Sequence, residues 1–220
     1  MPVTQPQKLP ILFDLDGTLV HSAPDIHAAV NRVLAGMDQP LLTLATVTSF
    51  IGNGVPRLIE RVIAELGLDT SLQGEMVRQF HTQYDDKAAD LSHLYPGVIA
   101  ALKALHTQGH PLGLCTNKPT APTLAMLQTL GLSAFFPVVI CGDTLPVRKP
   151  DPAPLHEGFR KLGGPGLFVG DSEIDAETAA RAGLPFLLFT KGYRKAAVSG
   201  LPNRAVFDDF SQLPDLAAKM

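Results

Sequence analysis

Asp14 and Asp16 stand one residue apart in Ile11-Leu12-Phe13-Asp14-Leu15-Asp16-Gly17-Thr18-Leu19, at the end of an apolar run and just before a glycine. Two like charges this close repel strongly unless a cation neutralises them or one carries a proton. The stretch reads as a phosphoryl-transfer site. The apolar residues 11–13, bounded by Pro10 and Gly17, fit a buried strand. Both carboxylates then sit at its carboxyl end, where open α/β sheets bind their ligands.

Further apolar runs downstream also end in polar groups. Residues 112–115 lead into Thr116-Asn117-Lys118, residues 138–141 into Gly142-Asp143, and residues 167–170 into Asp171-Ser172. In a parallel sheet these ends share one rim, so residues distant in sequence converge on one crevice. Lys149 precedes Pro150-Asp151-Pro152, where Asp151 and Pro152 suit a helix N-cap and first turn.

The elements that must position these groups follow from the hydrophobic period. After the first strand the spacing turns helical and stays so to about residue 93. Ile26, Ala29, Val30, Val33, Leu34 and Met37 form one apolar stripe, and Val55, Leu58, Ile59, Val62, Ile63 and Leu66 a second that ends at Gly67. Met76, Phe80 and Tyr84 suit a third helix. From Val98 on, strands and helices alternate, the pattern of a parallel sheet with crossover helices. Helices are predicted near 122–130, 152–162 and 173–182, strands at 186–189 and, as a short edge, at 205–207.

The chain has 220 residues, 45% hydrophobic and 18% charged, enough for one large core with a smaller appended unit. A net charge of −3 without Lys/Arg blocks gives no electrostatic footprint for nucleic acid or an anionic membrane, and favours a small-molecule role. No apolar segment approaches the ~18 residues of a membrane span, and Met1 to Lys8 lack the charged-then-apolar order of a signal peptide, so a cytoplasmic protein is expected. Cys115 and Cys141 end buried-strand candidates and are expected to be reduced and structural. The seven histidines show no zinc-binding spacing. Lys118, Arg148 and Lys191 read as surface residues.

Taken in order, Asp14-Leu15-Asp16-Gly17-Thr18-Leu19, Thr116, Lys149 and Gly170-Asp171-Ser172-Glu173-Ile174-Asp175 resemble the four motifs of the haloacid dehalogenase-like hydrolase superfamily, over nearly the whole chain. The resemblance implies an α/β doubly wound, Rossmann-like core of residues 1–22 and 94–220 with an inserted helical cap of residues 23–93. Within the superfamily, Ser22-Ala23-Pro24-Asp25, Ile51-Gly52-Asn53-Gly54 and Lys149-Pro150-Asp151-Pro152-Ala153-Pro154 are most similar to phosphoglycolate phosphatases. His21 departs from those relatives, which usually carry an acidic residue there.

What the resemblance implies is a Mg²⁺-dependent phosphomonoesterase acting on a small phosphorylated metabolite, as a monomer or homodimer. Asp14 is then the nucleophile, Asp16 the acid and base, and Asp14, Asp171 and the Asp16 carbonyl the Mg²⁺ ligands. Thr116, Asn117 and Lys149 grip the phosphoryl oxygens, and Ser172 and Asp175 support the metal water or Lys149. The cap loop Gly52-Asn53-Gly54 reads the leaving group, with Arg57 pairing a substrate carboxylate or else standing solvated on its helix. A sugar-phosphate phosphatase or phosphoglucomutase is the nearest alternative. A receiver-like phospho-accepting module is the other, disfavoured because it needs neither the acid at Asp16 nor a cap.

Overall fold

A computed structural model describes residues 8–84, Lys87 and residues 89–220. Met1 to Gln7, most of the stretch read for a signal peptide, lie outside the described residues. In chain order the elements are β1 (Ile11–Phe13), β2 (Val20–His21), α1 (Ala23–Gly36), α2 (Leu44–Thr48), α3 (Val55–Leu66), α4 (Gln73–Tyr84), β3 (His93–Leu94) and α5 (Val98–Thr107). They continue with β4 (Leu112–Cys115), α6 (Thr120–Thr129), β5 (Val138–Ile140), α7 (Ala153–Leu162), β6 (Leu167–Gly170), α8 (Glu173–Ala182), β7 (Phe186–Phe189), β8 (Ala205–Phe207) and α9 (Leu213–Ala217).

Six strands form one parallel sheet in the order β5-β4-β1-β6-β7-β8. Side chains alternate between its faces, as the period of two requires. Ile11 and Phe13, Leu167 and Val169, and Leu187 and Phe189 join the core on one face. Leu12, Phe168, Phe186 and Leu188 join Leu155 and Phe159 of α7 and Ala176 and Ala179 of α8 on the other. Helices on both faces explain why the strands read as continuous apolar runs.

β1 lies between β4 and β6, with Ile11 paired to both Leu112 and Leu167. The chain winds outward from β1 through β4 and β5, then returns to β6 on the other side. The strand order therefore reverses beside β1, which opens a crevice at the carboxyl ends of β1, β4 and β6.

The helices α1 to α4 are inserted between β1 and β4, with α1 packed on α2 and α4, and α3 on α4. The chain leaves and re-enters this segment through a two-strand antiparallel pair in which Val20 faces Leu94 and His21 faces His93. Asp25, buried in the first turn of α1, accepts from the Leu91 and Ser92 amides and so pins the returning chain. The β2–β3 pair and the five-residue α2 have no counterpart in the sequence reading; both are too short for a periodic signal. No helix among the described residues is long and apolar enough to cross a membrane.

Candidate active site

The loop after β1 begins where the Asp14 amide donates to the Val169 carbonyl at 2.9 Å, which holds the nucleophile candidate beside β6. Gly17 then turns the chain with φ +89°, and a Cβ there would lie 2.5 Å from Asp171 Oδ2. Glycine is required on both counts. The turn brings Thr18 Oγ1 to 2.8 Å from Asp171 Oδ1 and 3.5 Å from Asp14 Oδ2, so one hydroxyl spans both carboxylates.

Lys149 sits at the centre of the site. Its Nζ donates to Asp14 Oδ1 at 2.7 Å and Asp175 Oδ1 at 2.6 Å, and the side chain is almost wholly buried. Asp175 is aimed by the first turn of α8: its Oδ2 accepts from the Ser172 amide at 3.1 Å and Ser172 Oγ at 2.6 Å, while its own amide donates back to Ser172 Oγ. This reciprocal cap fixes both residues. Asp171 receives the Tyr193 amide at 2.6 Å on Oδ2.

Ligand oxygens of Asp14, Asp171 and Asp175 come within 4.8 Å of one another. Three buried carboxylates thus face a single ammonium. Burial pushes the Asp14 carboxyl up to about 7 against the pull of Lys149, with Asp175 and Asp16 adding to the rise. Burial, then the charges of Asp175 and Asp14, push Asp171 up as well. The same two carboxylates and Asp14's bond hold the Lys149 ammonium protonated despite its burial. An oxygen-only set with excess negative charge fits a hard divalent cation. Asp175 is already committed to Lys149 and Ser172. Asp16 contributes no carboxylate to this cluster among the described residues.

Asp16 instead meets Lys118, whose Nζ lies 3.3 Å from its Oδ1 and also donates to the Tyr84 hydroxyl. Lys118 is 6% exposed, which corrects its reading as a surface residue. A lysine goes inside only when paired, and its partners here come from distant segments. Arg148 and Lys191 carry exposed side chains, as expected.

Thr116 and Asn117 follow β4 and line the same cavity as this cluster. Asn117 Nδ2 donates to the Lys149 carbonyl at 3.0 Å and to the Gly52 carbonyl at 3.2 Å. The second bond ties the inserted segment to the sheet rim. In the Gly52-Asn53-Gly54 turn both glycines have positive φ, and Gly52 and Gly54 pack against Ile174 and Arg148. One cavity of about 550 Å³ gathers Asp14, Asp16, Thr116, Asn117, Lys149, Asp171, Ser172 and Asp175 with the 52–54 turn above them.

Arg57 is the exception among the predicted site residues. It does not line the cavity, and its exposed side chain pairs with Glu60 within α3. Arg61, one turn later, does line it, as do Tyr84, Lys118, Tyr193 and Lys195. The signal that points to Tyr193 and Lys195 is their place just beyond β7, on the rim shared by the other site residues.

A family model of haloacid dehalogenase-like hydrolases matches residues 11–183. Phosphoglycolate phosphatase of Cereibacter sphaeroides is 50% identical over 213 residues, covering 96% of this chain and 98% of that protein. Phosphoglycolate phosphatase of Rhodobacter capsulatus is 43% identical over 94% of this chain and 95% of its own. Among solved structures, one described as a predicted phosphoglycolate phosphatase from Haemophilus somnus superposes with a TM-score of 0.90 at 33% identity, covering 96% of this chain and 99% of that one. Spanned from β1 to the end of α8 by the family's motifs, with an aspartate pair at the switch point of a parallel sheet, the chain belongs to the haloacid dehalogenase-like hydrolases.

Proposed function

We propose that the protein is a phosphoglycolate phosphatase that cleaves 2-phosphoglycolate to glycolate and phosphate through an aspartyl-phosphate on Asp14. The observation that carries this reading is the Asp14–Lys149 pair at 2.7 Å inside a cavity roofed by the inserted helices. Relatives that bear this name are 40–50% identical over nearly the full chain.

Phosphate monoesters are so inert that accelerations reach ~10²¹, and several kinds of charge stabilisation must act together. The Asp14 carboxylate attacks phosphorus in line and the ester oxygen leaves. Asp16 delivers its proton to that oxygen, then takes one from the water that hydrolyses the acyl phosphate. Lys149, the Thr116 hydroxyl and the Asn117 region hold the equatorial oxygens, where transition-state charge is spread. Ser172 and Asp175 keep Lys149 in place.

Asp14, Asp171 and the Asp16 carbonyl are the residues that would hold Mg²⁺. When bound, the ion neutralises the carboxylate cluster and screens the nucleophile from the phosphate dianion. In this reading residues 1–22 and 94–220 are the catalytic core and residues 23–93 a cap that closes over the substrate. The enzyme acts on a free metabolite in the cytoplasm, as a monomer or homodimer with reduced cysteines.

A panel of small phosphorylated metabolites assayed with and without Mg²⁺ tests this. The highest kcat/KM is expected on 2-phosphoglycolate. A hexose phosphate as the best substrate would overturn the assignment, and no turnover of any ester would overturn the phosphatase reading.

A further inference from the structure

Two cations line the cavity that the chemistry above does not use. Arg61 reaches it from α3, in the inserted segment, and Lys195 from the loop after β7, on the sheet side. The other two cavity lysines are taken, Lys149 by Asp14 and Asp175, and Lys118 by Asp16 and Tyr84.

Arg61 is anchored by neutral acceptors. Its Nη1 donates to the Phe50 carbonyl at 2.6 Å and its Nη2 to Asn53 Oδ1 at 2.9 Å. Among the described residues these bonds leave three of the five N–H donors of a guanidinium unused. Glu60, the residue before Arg61, is bound by Arg57. On the opposite wall, Glu173 Oε1 accepts the backbone amides of Lys195 and Ala196 and forms no ion pair with the Lys195 ammonium among the described residues.

The electrostatics agree with that geometry. Burial and then the Arg61 charge lower the Lys195 ammonium from its ordinary value, with Glu173 offsetting in part. Burial and then Arg57 lower Arg61, with Glu60 offsetting in part. Each group is less content as a cation than it would be in water, and an anion between them relieves both.

We propose that Arg61 and Lys195 form a carboxylate subsite, one cation from each wall of the cleft, which holds the carboxylate of a phosphorylated hydroxy acid while its phosphate lies at Asp14 and Lys149. The inference rests on the phosphoglycolate reading and assigns to Arg61 the role expected of Arg57. A guanidinium suits it, because its planar fork can grip both oxygens of a carboxylate. The same side chain holds Asn53, so carboxylate binding also steadies the turn whose Gly52 carbonyl meets Asn117.

The test is calorimetric binding of two inert ligands to the full-length protein with Mg²⁺: 3-phosphonopropionate, which carries the carboxylate, and propylphosphonate, which lacks it. The readout is the ratio of their affinities. In wild type the carboxylated ligand is expected to bind at least tenfold tighter, and in Lys195→Met and Arg61→Met the ratio is expected to fall to within threefold of unity. If Arg61→Met fails to fold, Lys195→Met decides alone. Lys191→Met, an exposed lysine paired with Asp208, controls for general charge and should keep the wild-type ratio. A ratio that survives in Lys195→Met, or falls equally in Lys191→Met, overturns the subsite while leaving the substrate assignment standing. A wild-type ratio near unity overturns the subsite and the phosphoglycolate reading together.

Discussion

The Lys118 ammonium donates to the Tyr84 hydroxyl, which joins the last residue of α4 in the inserted segment to the loop after β4. The same nitrogen reaches Asp16, the proposed acid and base, at 3.3 Å. A helix of the roof is thereby wired to the residue that must meet the leaving oxygen. Burial pushes the Tyr84 phenol up to about 12, so it stays a neutral hydroxyl at any working pH.

Tyr84→Phe removes that acceptor and little else. A hydrogen bond to a charged group is worth ~1.5–3 kcal/mol. Urea denaturation should show a loss of that order, and kcat should fall several-fold because Lys118 no longer holds Asp16 in one place. Unchanged kcat with the stability loss alone would reduce Tyr84 to a packing residue.

Asp14→Asn should abolish turnover without loss of fold, since an amide is a poor nucleophile. Asp16→Asn should slow both chemical steps, general acid–base catalysis being worth ~10²- to 10⁴-fold. Steady-state rates with circular dichroism check both. A deficit under about tenfold for Asp16→Asn would leave the residue as a holder of Lys118, outside the range given for proton transfer.

Chelation should stop the reaction and Mg²⁺ restore it, whereas Ca²⁺, with its larger and more irregular shell, should inhibit. Mg²⁺ should also raise Tm, because it relieves the repulsion among Asp14, Asp171 and Asp175 in the folded state only. At a hundred times Kd the expected gain is ~2.7 kcal/mol. Full activity in excess chelator would remove the metal from the site.

The sheet was legible because its strands are buried on both faces and end in polar residues. Leu12 and Phe168 on one face and Phe13 and Val169 on the other all read as apolar, so each strand appears as an unbroken run. The rim residues Asp14, Thr116, Lys149 and Asp171 followed from those strand ends and the resemblance together. Side-chain pairing across long separations was not legible. Lys118 is 102 residues from Asp16 and 34 from Tyr84, and nothing local distinguishes it from a solvated lysine. Arg57 and Arg61 lie one turn apart on α3, so helical spacing puts both near one face. Depth separates them, since Arg57 finds Glu60 on its own helix and Arg61 finds Phe50 and Asn53 beneath it.

Both thiols should resist alkylation in the native protein. Burial pushes the Cys115 thiol up to about 12 against the pull of Lys149, and burial raises Cys141 as well. The thiolate is the reactive form. Iodoacetamide at pH 8 should modify neither residue in the folded protein and both in denaturant, as counted by intact mass. Labelling of Cys115 at a rate typical of a free thiol would contradict its burial beneath the sheet rim.

His21 gives the fold a pH dependence. It faces His93 across the β2–β3 pair with ring centroids 5.1 Å apart, and packs against Tyr95 and Tyr193. Its Nδ1 lies 3.1 Å from the Tyr193 hydroxyl, which also accepts the Ala23 amide. Burial, then the like charge of His93, lower its pKa from the ordinary 6.5. The unfolded chain therefore binds a proton that the folded chain resists, and stability rises with pH across that window. The contribution is complete above about pH 6.5, is lost as the pH falls through that value and the lower folded one, and does not change further below it. An NMR titration should place the His21 midpoint below 6.5, and His93→Gln should move it upward by removing the facing charge. Thermal melts between pH 7.5 and 5 should lose part of their slope in His21→Gln. A wild-type midpoint at or above 6.5 would mean that His21 is solvated, and that the tyrosine hydroxyl linking β2 to the Asp171 loop does not depend on it.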